Sequence, residues 1–185
     1  ESLDLGGVEV LDGAAAAFQE LLARDPGTQV ETAFADQGPS SVAKYLFTSG
    51  STGLPKGVIN TQGMLCANMQ QLQQVWPFLM EQPPVLVDWL PWNHTFGGNI
   101  VFNNAMANGG TLYIDGGKPA PGLIDITADN LRRASPSLYY NVPAGFAALL
   151  PFLEADAALR DNFFRDLRLI FYAGAALPQD LWRRM

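Results

Sequence analysis

The chain has 185 residues, 48% of them hydrophobic and 16% charged, which predicts one folded globular domain or two small ones and not a disordered chain. Its formal net charge of −7 disfavours nucleic acid and anionic membranes as partners, so a phosphate-bearing ligand would have to be held by local groups. The single cysteine, Cys66, excludes an internal disulfide framework and a zinc site made of several thiolates.

Signals for secretion or membrane insertion are not evident in the sequence. No apolar run approaches the length of a membrane span, and the first residues do not resemble a signal peptide, so we expect a cytoplasmic protein without membrane contact. The sequence begins with Glu1 and stops at Met185 within an apparent helix. We expect both ends to lie inside a longer protein.

The first 41 residues are predicted to form a helix and a linker. Residues 14–22 are rich in alanine and leucine, which predicts a helix that ends near Asp25-Pro26-Gly27. Residues 28–41 are polar and include Gly38-Pro39, and we interpret them as a linker or surface loop. Residues 42–185 then form the main domain.

Strands and helices alternate from residue 42 onward. Residues 42–47 predict a strand, and after a glycine-rich segment and the short apolar step Val58-Ile59, Thr61 can cap a helix. Four apolar residues of that helix recur at helical spacing and are expected to pack in the core, namely Leu65, Met69, Leu72 and Trp76. Further strands are predicted at 85–90, 111–114, 137–140 and 167–172, and further helices at 94–106, 127–133 (capped by Asp125 or Thr127), 143–153 and from Leu177-Pro178. This alternation predicts an α/β fold, with a mostly parallel sheet covered by helices on both faces.

The glycine-rich segment at residues 48–57 has the composition of a phosphate-binding loop. Its glycines let the backbone approach an anion closely, its hydroxyl groups and successive backbone N–H groups can donate hydrogen bonds, and Lys56 adds a positive charge. It is not a Walker A loop, because Pro55 precedes the lysine and Gly57 follows it where that motif has Gly-Lys-Ser/Thr.

The segment Thr-Ser-Gly-Ser-Thr-Gly-Leu-Pro-Lys-Gly resembles the signature of the acyl-adenylate-forming superfamily, which includes acyl-CoA synthetases, luciferases and the adenylation domains of peptide synthetases. The resemblance implies that the chain is part of the large N-terminal domain of such an enzyme. It also implies that the segment binds the ATP β- and γ-phosphates. The residues at the matching positions are Thr48, Ser49, Gly50, Ser51, Thr52, Gly53 and Lys56.

A second segment contains the only histidine, His94. A single histidine is more often structural than catalytic, but this one follows a predicted strand, where ligands bind in open parallel sheets. Residues 90–97 also resemble the second signature of the superfamily, Leu-Pro-x-x-His-x-x-Gly. That resemblance makes His94 the candidate catalytic residue, which would orient the acid, and it implies an acid pocket lined by His94, Phe96, Gly97, Gly98 and Tyr140.

A third segment, residues 171–177, ends a predicted strand with small side chains. Close packing of the strand against a helix would explain these residues. Their order and distance after the other two motifs resemble the superfamily segment that flanks adenine, which implies adenine contacts from Gly174, Ala175 and Ala176.

One subgroup is more similar than the rest. Residues 88–99, 109–115 and 171–175 resemble bacterial feruloyl-CoA synthetases, which implies a hydroxycinnamate-type acid as substrate. Trp92, Phe96, Tyr140 and Val142 could supply an aromatic and apolar wall for it, although core packing explains each of them equally well.

The resemblance implies a two-step reaction with ATP, Mg²⁺ and CoA, in which the acid becomes an acyl-adenylate and then a thioester. Three further parts of the superfamily have no counterpart in these residues: the glutamate that helps bind magnesium, the aspartate that holds ribose, and the C-terminal lid domain with its catalytic lysine. We therefore expect no metal ligand in this chain and no adenylation by the chain alone.

Two other interpretations stay open at this point. The chain could belong to an adenylation module that loads an acid onto a carrier protein instead of CoA. It could also be a nucleotide-binding or interaction fragment without catalysis. For the CoA-ligase interpretation the expected partners are small molecules, namely the acid, ATP and CoA, and the sequence indicates no oligomeric state.

Overall fold

The computed structural model describes residues 16–48 and 54–185, with side chains from residue 18. The chain divides into two compact units, Glu1–Gly38 and Pro39–Met185. No helix among the described residues is long and apolar enough to cross a membrane.

The first unit contains two short helices, α1 (Ala16–Leu22) and α2 (Gly27–Ala35). The helix predicted at 14–22 is confirmed over the described residues 16–22. The loop expected at 28–41 is wrong for residues 28–35, which are helical. That stretch contains no glycine or proline before Gly38, so nothing in it interrupts a helix.

The second unit begins with an antiparallel hairpin. Strand β1 (Val42–Thr48) pairs with β2 (Lys56–Thr61), so that Lys44 lies opposite Asn60 and Thr48 opposite Lys56. The predicted strand at 42–47 is confirmed, whereas the apolar step Val58-Ile59 belongs to a full strand that the sequence analysis missed. The hairpin is the antiparallel exception to the mostly parallel arrangement.

Helix α3 (Gln62–Val75) follows the hairpin directly. The Thr61 side chain accepts a hydrogen bond from the Met64 N–H at 3.3 Å, which confirms the predicted cap. The apolar stripe packs largely as expected, because Met69 is buried and Leu72 and Trp76 pack against a buried cluster. A short 3₁₀ helix (Pro77–Met80) leads into the sheet.

Four parallel strands form the centre of the second unit. Strand β3 (Val85–Asp88) pairs with β4 (Thr111–Ile114), and β5 (Leu138–Asn141) pairs with β6 (Leu169–Tyr172). The two pairs meet at Ser137, whose N–H donates to the Val85 carbonyl at 2.9 Å. The strand order is therefore β4-β3-β5-β6.

Helices connect these strands and cover both faces of the sheet, as predicted. The connections are a π-helical turn (Phe96–Val101) continued by α4 (Phe102–Ala107), then α5 (Ile124–Arg133), α6 (Pro143–Ala155), α7 (Ala157–Arg165) and α8 (Gln179–Arg184). One apolar cluster joins Val87 and Tyr139 to α5, α6 and α7, and the other joins Leu86 and Tyr140 to the π-helical turn. The α/β fold is confirmed.

Three details of the helix predictions are corrected. The predicted helix 94–106 is π-helical in its first half, where the Phe102 N–H bonds to the Gly97 carbonyl and not to a carbonyl four residues back. Helix α5 starts at Ile124, so Asp125 and Thr127 lie inside it and cap nothing. Helix α7 was not predicted, although Asp156 caps it through the Leu159 N–H at 3.0 Å.

Candidate functional site

The carboxyl ends of the four parallel strands lie at one edge of the sheet. Backbone hydrogen bonds continue beyond the paired residues, from the Asp115 N–H to the Asp88 carbonyl at 2.9 Å and from the Ala173 N–H to the Asn141 carbonyl at 3.4 Å. The predicted histidine and adenine segments follow β3 and β6, and Val142 follows β5. Ligands bind at this edge in open α/β sheets, so the fold brings these segments to a suitable place.

The hairpin carries the predicted phosphate-binding segment. Thr48 ends β1 and Lys56 begins β2, both are exposed, and they lie opposite each other in the ladder. The other five predicted phosphate contacts, Ser49, Gly50, Ser51, Thr52 and Gly53, lie outside the described residues.

His94 lies in the exposed turn between β3 and the π-helical turn. Its Nδ1 accepts a hydrogen bond from the Phe96 N–H at 3.2 Å, and its backbone N–H donates to the Pro91 carbonyl at 3.1 Å. Because Nδ1 is an acceptor here, the neutral ring carries its proton on Nε2. The ring is therefore held on one side and offers an N–H donor on the other.

Gly97 and Gly98 are buried and allow a close approach between two backbone segments. A Cβ at Gly97 would lie 2.6 Å from the Pro91 carbonyl oxygen, and one at Gly98 would lie 2.2 Å from the Trp92 carbonyl oxygen. Larger side chains would push the π-helical turn away from residues 90–92. The two glycines thus hold the π-helical turn close to residues 90–92, on either side of His94, whether or not they also touch a ligand.

Phe96 and Tyr140 are part of a buried aromatic cluster. The Phe96 ring lies 6.2 Å from that of Tyr140 and 6.0 Å from that of Phe171, centroid to centroid, and it is 5% exposed. The Tyr140 hydroxyl accepts a hydrogen bond from Asn104 Nδ2 at 2.9 Å. In this chain both rings make core contacts, and their role toward an acid stays a prediction.

The predicted adenine segment is exposed at the same edge. Gly174 has φ +91°, a backbone conformation that favours glycine, and it follows Ala173, which packs against the buried cluster. Gly174, Ala175 and Ala176 are all exposed. A flat group could therefore lie against this backbone, as the prediction requires.

Comparison with known proteins decides the family. The model of the family described as AMP-binding enzyme matches residues 3–185. The chain belongs to this AMP-binding family.

Ligases and synthetases are among the proteins to which it is similar. This AMP-binding chain is 29% identical over 149 residues to a benzoate–CoA ligase of Thauera aromatica, covering 79% of this chain and 26% of the relative. It is 31% identical over 143 residues to an acetyl-coenzyme A synthetase of Caulobacter vibrioides, covering 74% of this chain and 21% of the relative. A crystal structure of ATP-bound MatB from Rhodopseudomonas palustris is 28% identical, with a TM-score of 0.62 over 80% of this chain and 27% of that one. The chain thus spans about a quarter of the length of these proteins.

Sequence reasoning missed a buried carboxyl group at the edge of the AMP-binding sheet. Asp88 ends β3 and is 5% exposed, and neither of its carboxyl oxygens has a hydrogen-bond partner of normal geometry. Burial raises the pKa of Asp88 to about 7, the Leu90 N–H opposes this, and the neighbouring Asp115 carboxyl raises it further. The sequence signal that could have identified Asp88 is its position as a charged residue at the end of an apolar strand.

The neighbours of Asp88 are fully bonded. Asp115 Oδ1 accepts from the Gly117 N–H at 2.8 Å and from Asn130 Nδ2 at 2.9 Å, and Oδ2 accepts from Thr127 Oγ1 at 2.5 Å. Burial and the charge of Asp115 also raise the pKa of Tyr139, and the charge of Asp88 adds to this. Asp88 is the weakly bonded member of an otherwise satisfied buried group.

Asn141 was also missed, and it orders the ends of β3 and β5. Its Oδ1 accepts from Trp89 Nε1 at 3.2 Å and from the Val142 N–H at 2.9 Å, and its Nδ2 donates to the Tyr139 hydroxyl at 3.2 Å. A Cβ at Gly145 would overlap the Asn141 amide, so α6 packs directly on it.

A metal site is not formed by the described side chains. Over residues 16–48 and 54–185, no group of three or more His, Cys, Asp or Glu side chains lies close enough to share an ion. Asp88 is buried without a second free carboxylate, since both oxygens of Asp115 are bonded.

Proposed function

We propose that this chain is part of an enzyme that uses ATP to activate a carboxylic acid and transfers the acyl group to CoA, releasing AMP and pyrophosphate. The observation that carries the proposal is the ten-residue segment 48–57, flanked by paired strands in a chain that the AMP-binding family model matches almost from end to end. The names of the relatives, a benzoate–CoA ligase and an acetyl-coenzyme A synthetase, support the same class of reaction.

The ATP phosphates are assigned to the hairpin segment. Lys56 is exposed at the start of β2, where its ammonium group can reach an anion, and Thr48 supplies a hydroxyl group at the end of β1. Ser49, Gly50, Ser51, Thr52 and Gly53 complete the proposed set. The chain has a net charge of −7, so local hydrogen bonds and this lysine must hold ATP against an unfavourable overall field.

The acid carboxylate is assigned to the neighbourhood of His94, and adenine to the segment Gly174–Ala176. The Nε2–H of His94 can donate to a carboxylate oxygen and hold it in position, because Nδ1 is already fixed by the Phe96 N–H. Gly97 and Gly98 leave no side-chain bulk on the π-helical turn beside it. The acid's body would extend toward Phe96 and Tyr140.

The reaction then has two steps. A carboxylate oxygen attacks the α-phosphorus of Mg·ATP, the bond to the bridging oxygen breaks, and pyrophosphate leaves. The CoA thiolate then attacks the acyl carbon, the acyl–oxygen bond breaks, and AMP leaves with that oxygen. The first step depends mainly on alignment of the two anions and on donors to phosphate oxygens, which are what the proposed residues supply.

A hydroxycinnamate such as ferulate is the proposed acid. Residues 88–99, 109–115 and 171–175 resemble feruloyl-CoA synthetases, and an aromatic acid is also named by the benzoate–CoA ligase relative. Phe96, two residues after His94, belongs to an aromatic cluster with Tyr140 and Phe171. This cluster would give an aromatic acid a flat apolar wall.

The test is acid-dependent AMP release by the intact enzyme in the presence of CoA. Ferulate, coumarate and caffeate should each be turned over at least tenfold faster, as kcat/KM, than a fatty acid of similar length. Equal or faster turnover of the fatty acid would contradict the hydroxycinnamate assignment. AMP release that requires a carrier protein and not CoA would instead favour the carrier-loading module.

A further inference from the structure

Two facing residues of the hairpin contact the π-helical turn. Lys44 and Asn60 lie opposite each other in the β1–β2 ladder, so their side chains project from the same face of the hairpin. Lys44 Nζ donates to the Gly98 carbonyl at 3.3 Å, and Asn60 Oδ1 accepts from Asn99 Nδ2 at 2.8 Å. A cross-strand pair thus meets two consecutive residues of the turn.

Lys44 is placed in an unusual position for a lysine. It is half-buried in a strand of mostly apolar residues, and burial lowers the pKa of its ammonium group. Its hydrogen bond joins segments 54 residues apart in the sequence. The hydrogen bond to the Gly98 carbonyl compensates for part of the hydration that the Lys44 ammonium group loses on burial.

The amide of Asn60 is fixed at both ends. Its Nδ2 donates to the Val58 carbonyl at 3.0 Å, which leaves Oδ1 pointing at Asn99. Asn99 Nδ2 also donates to Thr95 Oγ1 at 3.0 Å, one turn earlier. The hairpin is thereby linked to the start of the π-helical turn as well as to its middle.

His94 lies just before the π-helical turn and is bonded to it, so residues 94–101, the His94 turn, form one hydrogen-bonded segment. The Gly98 N–H donates to the His94 carbonyl at 2.8 Å, and the Phe96 N–H donates to His94 Nδ1 at 3.2 Å. Gly98, which Lys44 contacts, is therefore bonded to His94, and Thr95, which Asn99 contacts, follows His94 directly in the chain. A π-helical turn is uncommon and is often found at functional sites, which agrees with a turn whose shape is fixed from two sides.

We infer that Lys44 and Asn60 are positioning residues that fix the His94 turn relative to the hairpin that carries Thr48 and Lys56. The inference rests on the proposed function, because its purpose there is to align the acid carboxylate with the ATP phosphates. Small errors in such alignment lower the rate of a two-substrate reaction strongly, whereas the affinity for each substrate alone changes less.

The first test is acid-dependent ATP–pyrophosphate exchange by the intact enzyme with Lys44→Met, Lys44→Arg and Lys118→Met. Methionine keeps an apolar stem and removes the donor, arginine keeps a donor, and the exposed Lys118 controls for the loss of one positive charge. Lys44→Met should lower kcat about tenfold with an ATP KM within twofold of wild type, and Lys44→Arg should recover most of the loss. Lys118→Met should leave both values unchanged.

The second test does not depend on activity. Amide hydrogen exchange of residues 95–101 should become faster in Lys44→Met and in Asn60→Ala, while exchange in β5 and β6 stays as in wild type. The losses in kcat caused by Asn60→Ala and Asn99→Ala should be strongly non-additive. The double variant should therefore have about the same kcat as either single variant.

The results separate this inference from the function on which it rests. If the intact wild-type enzyme gives no acid-dependent exchange, the proposed function fails and the positioning role fails with it. If the wild type is active while Lys44→Met equals Lys118→Met in kcat and in hydrogen exchange, only the positioning role is overturned.

Discussion

Asp88 ends β3 and Asp115 directly follows the neighbouring β4, yet the two carboxyl groups differ in the number of hydrogen bonds that they accept. Three donors surround the Asp115 carboxyl, whereas the Asp88 oxygens are buried without a partner of normal geometry. A charged carboxylate in that position is costly, so the folded protein favours the protonated form of Asp88 below about pH 7.

The pH dependence of stability follows from this carboxyl group. Its pKa is raised from 3.8 to about 7, so between these values the folded protein holds a proton that the unfolded chain releases. Stability from Asp88 is therefore complete below pH 4 and is lost as the pH rises to 7, by roughly 4 kcal/mol at 1.36 kcal/mol per unit.

An Asp88→Asn variant should lack this dependence, because its amide does not titrate. Relative to wild type, the melting temperature of the intact enzyme with Asp88→Asn should rise steadily between pH 4 and pH 7. Asp125→Asn, which removes an exposed carboxylate from α5, is the matched control and should keep the wild-type slope. Parallel curves for Asp88→Asn and wild type would contradict a buried proton at this residue.

At the scale of elements, the π-helical turn shows how close backbone contacts require glycine at two positions. Gly97 and Gly98 lie against the carbonyls of residues 90–92, and those contacts hold the turn after β3 in one shape. The hairpin approaches the turn from the other side through Lys44 and Asn60. The turn is therefore a rigid element between two predicted binding segments.

Gly98→Ala should destabilise the protein strongly. The new Cβ would lie 2.2 Å from the Trp92 carbonyl oxygen, which is backbone and must move, so we expect a cost of about 3 kcal/mol or more. Gly116→Ala meets no atom within 4 Å and should change stability by less than about 0.5 kcal/mol. Denaturant unfolding of both variants checks this, and equal stability of the two would disprove the close contact.

At the scale of the whole molecule, the sequence was sufficient for the central sheet but not for its surroundings. Strands β3 to β6 are short apolar runs bounded by turn residues, so their pattern alone identified them, and their alternation with helices predicted that they are parallel. The β1–β2 pairing could not be inferred, because Val58-Ile59 is too short an apolar signal to define a strand. Helix α2 was missed because its polar residues and the following Gly38-Pro39 are typical of a loop.

The residues of the candidate site also fall into those that the sequence identified and those that it did not. His94, Lys56 and Gly174 belong to local motifs and were identified from them, although their roles stay predictions. Asp88 and Asn141 depend on neighbours from other strands, and the contacts of Lys44 and Asn60 depend on hairpin register together with a turn about forty to fifty residues away. Such contacts follow from tertiary packing, which no local pattern records.

The central claim is that the hairpin segment and the His94 turn together activate an acid with ATP. The most direct measurement is acid-dependent ATP–pyrophosphate exchange by the intact enzyme, comparing wild type with Lys56→Met, His94→Ala, His94→Asn and the control Lys118→Met. His94→Asn offers an acceptor near the Phe96 N–H but no imidazole, so it separates support of the turn from contact with the acid.

The account predicts exchange that requires the acid and falls at least tenfold in Lys56→Met, mainly through ATP. It also predicts similar losses in both His94 variants, mainly through the acid's KM and kcat, and wild-type exchange in Lys118→Met. Exchange without added acid, or wild-type kinetics in both Lys56→Met and His94→Ala, would contradict it.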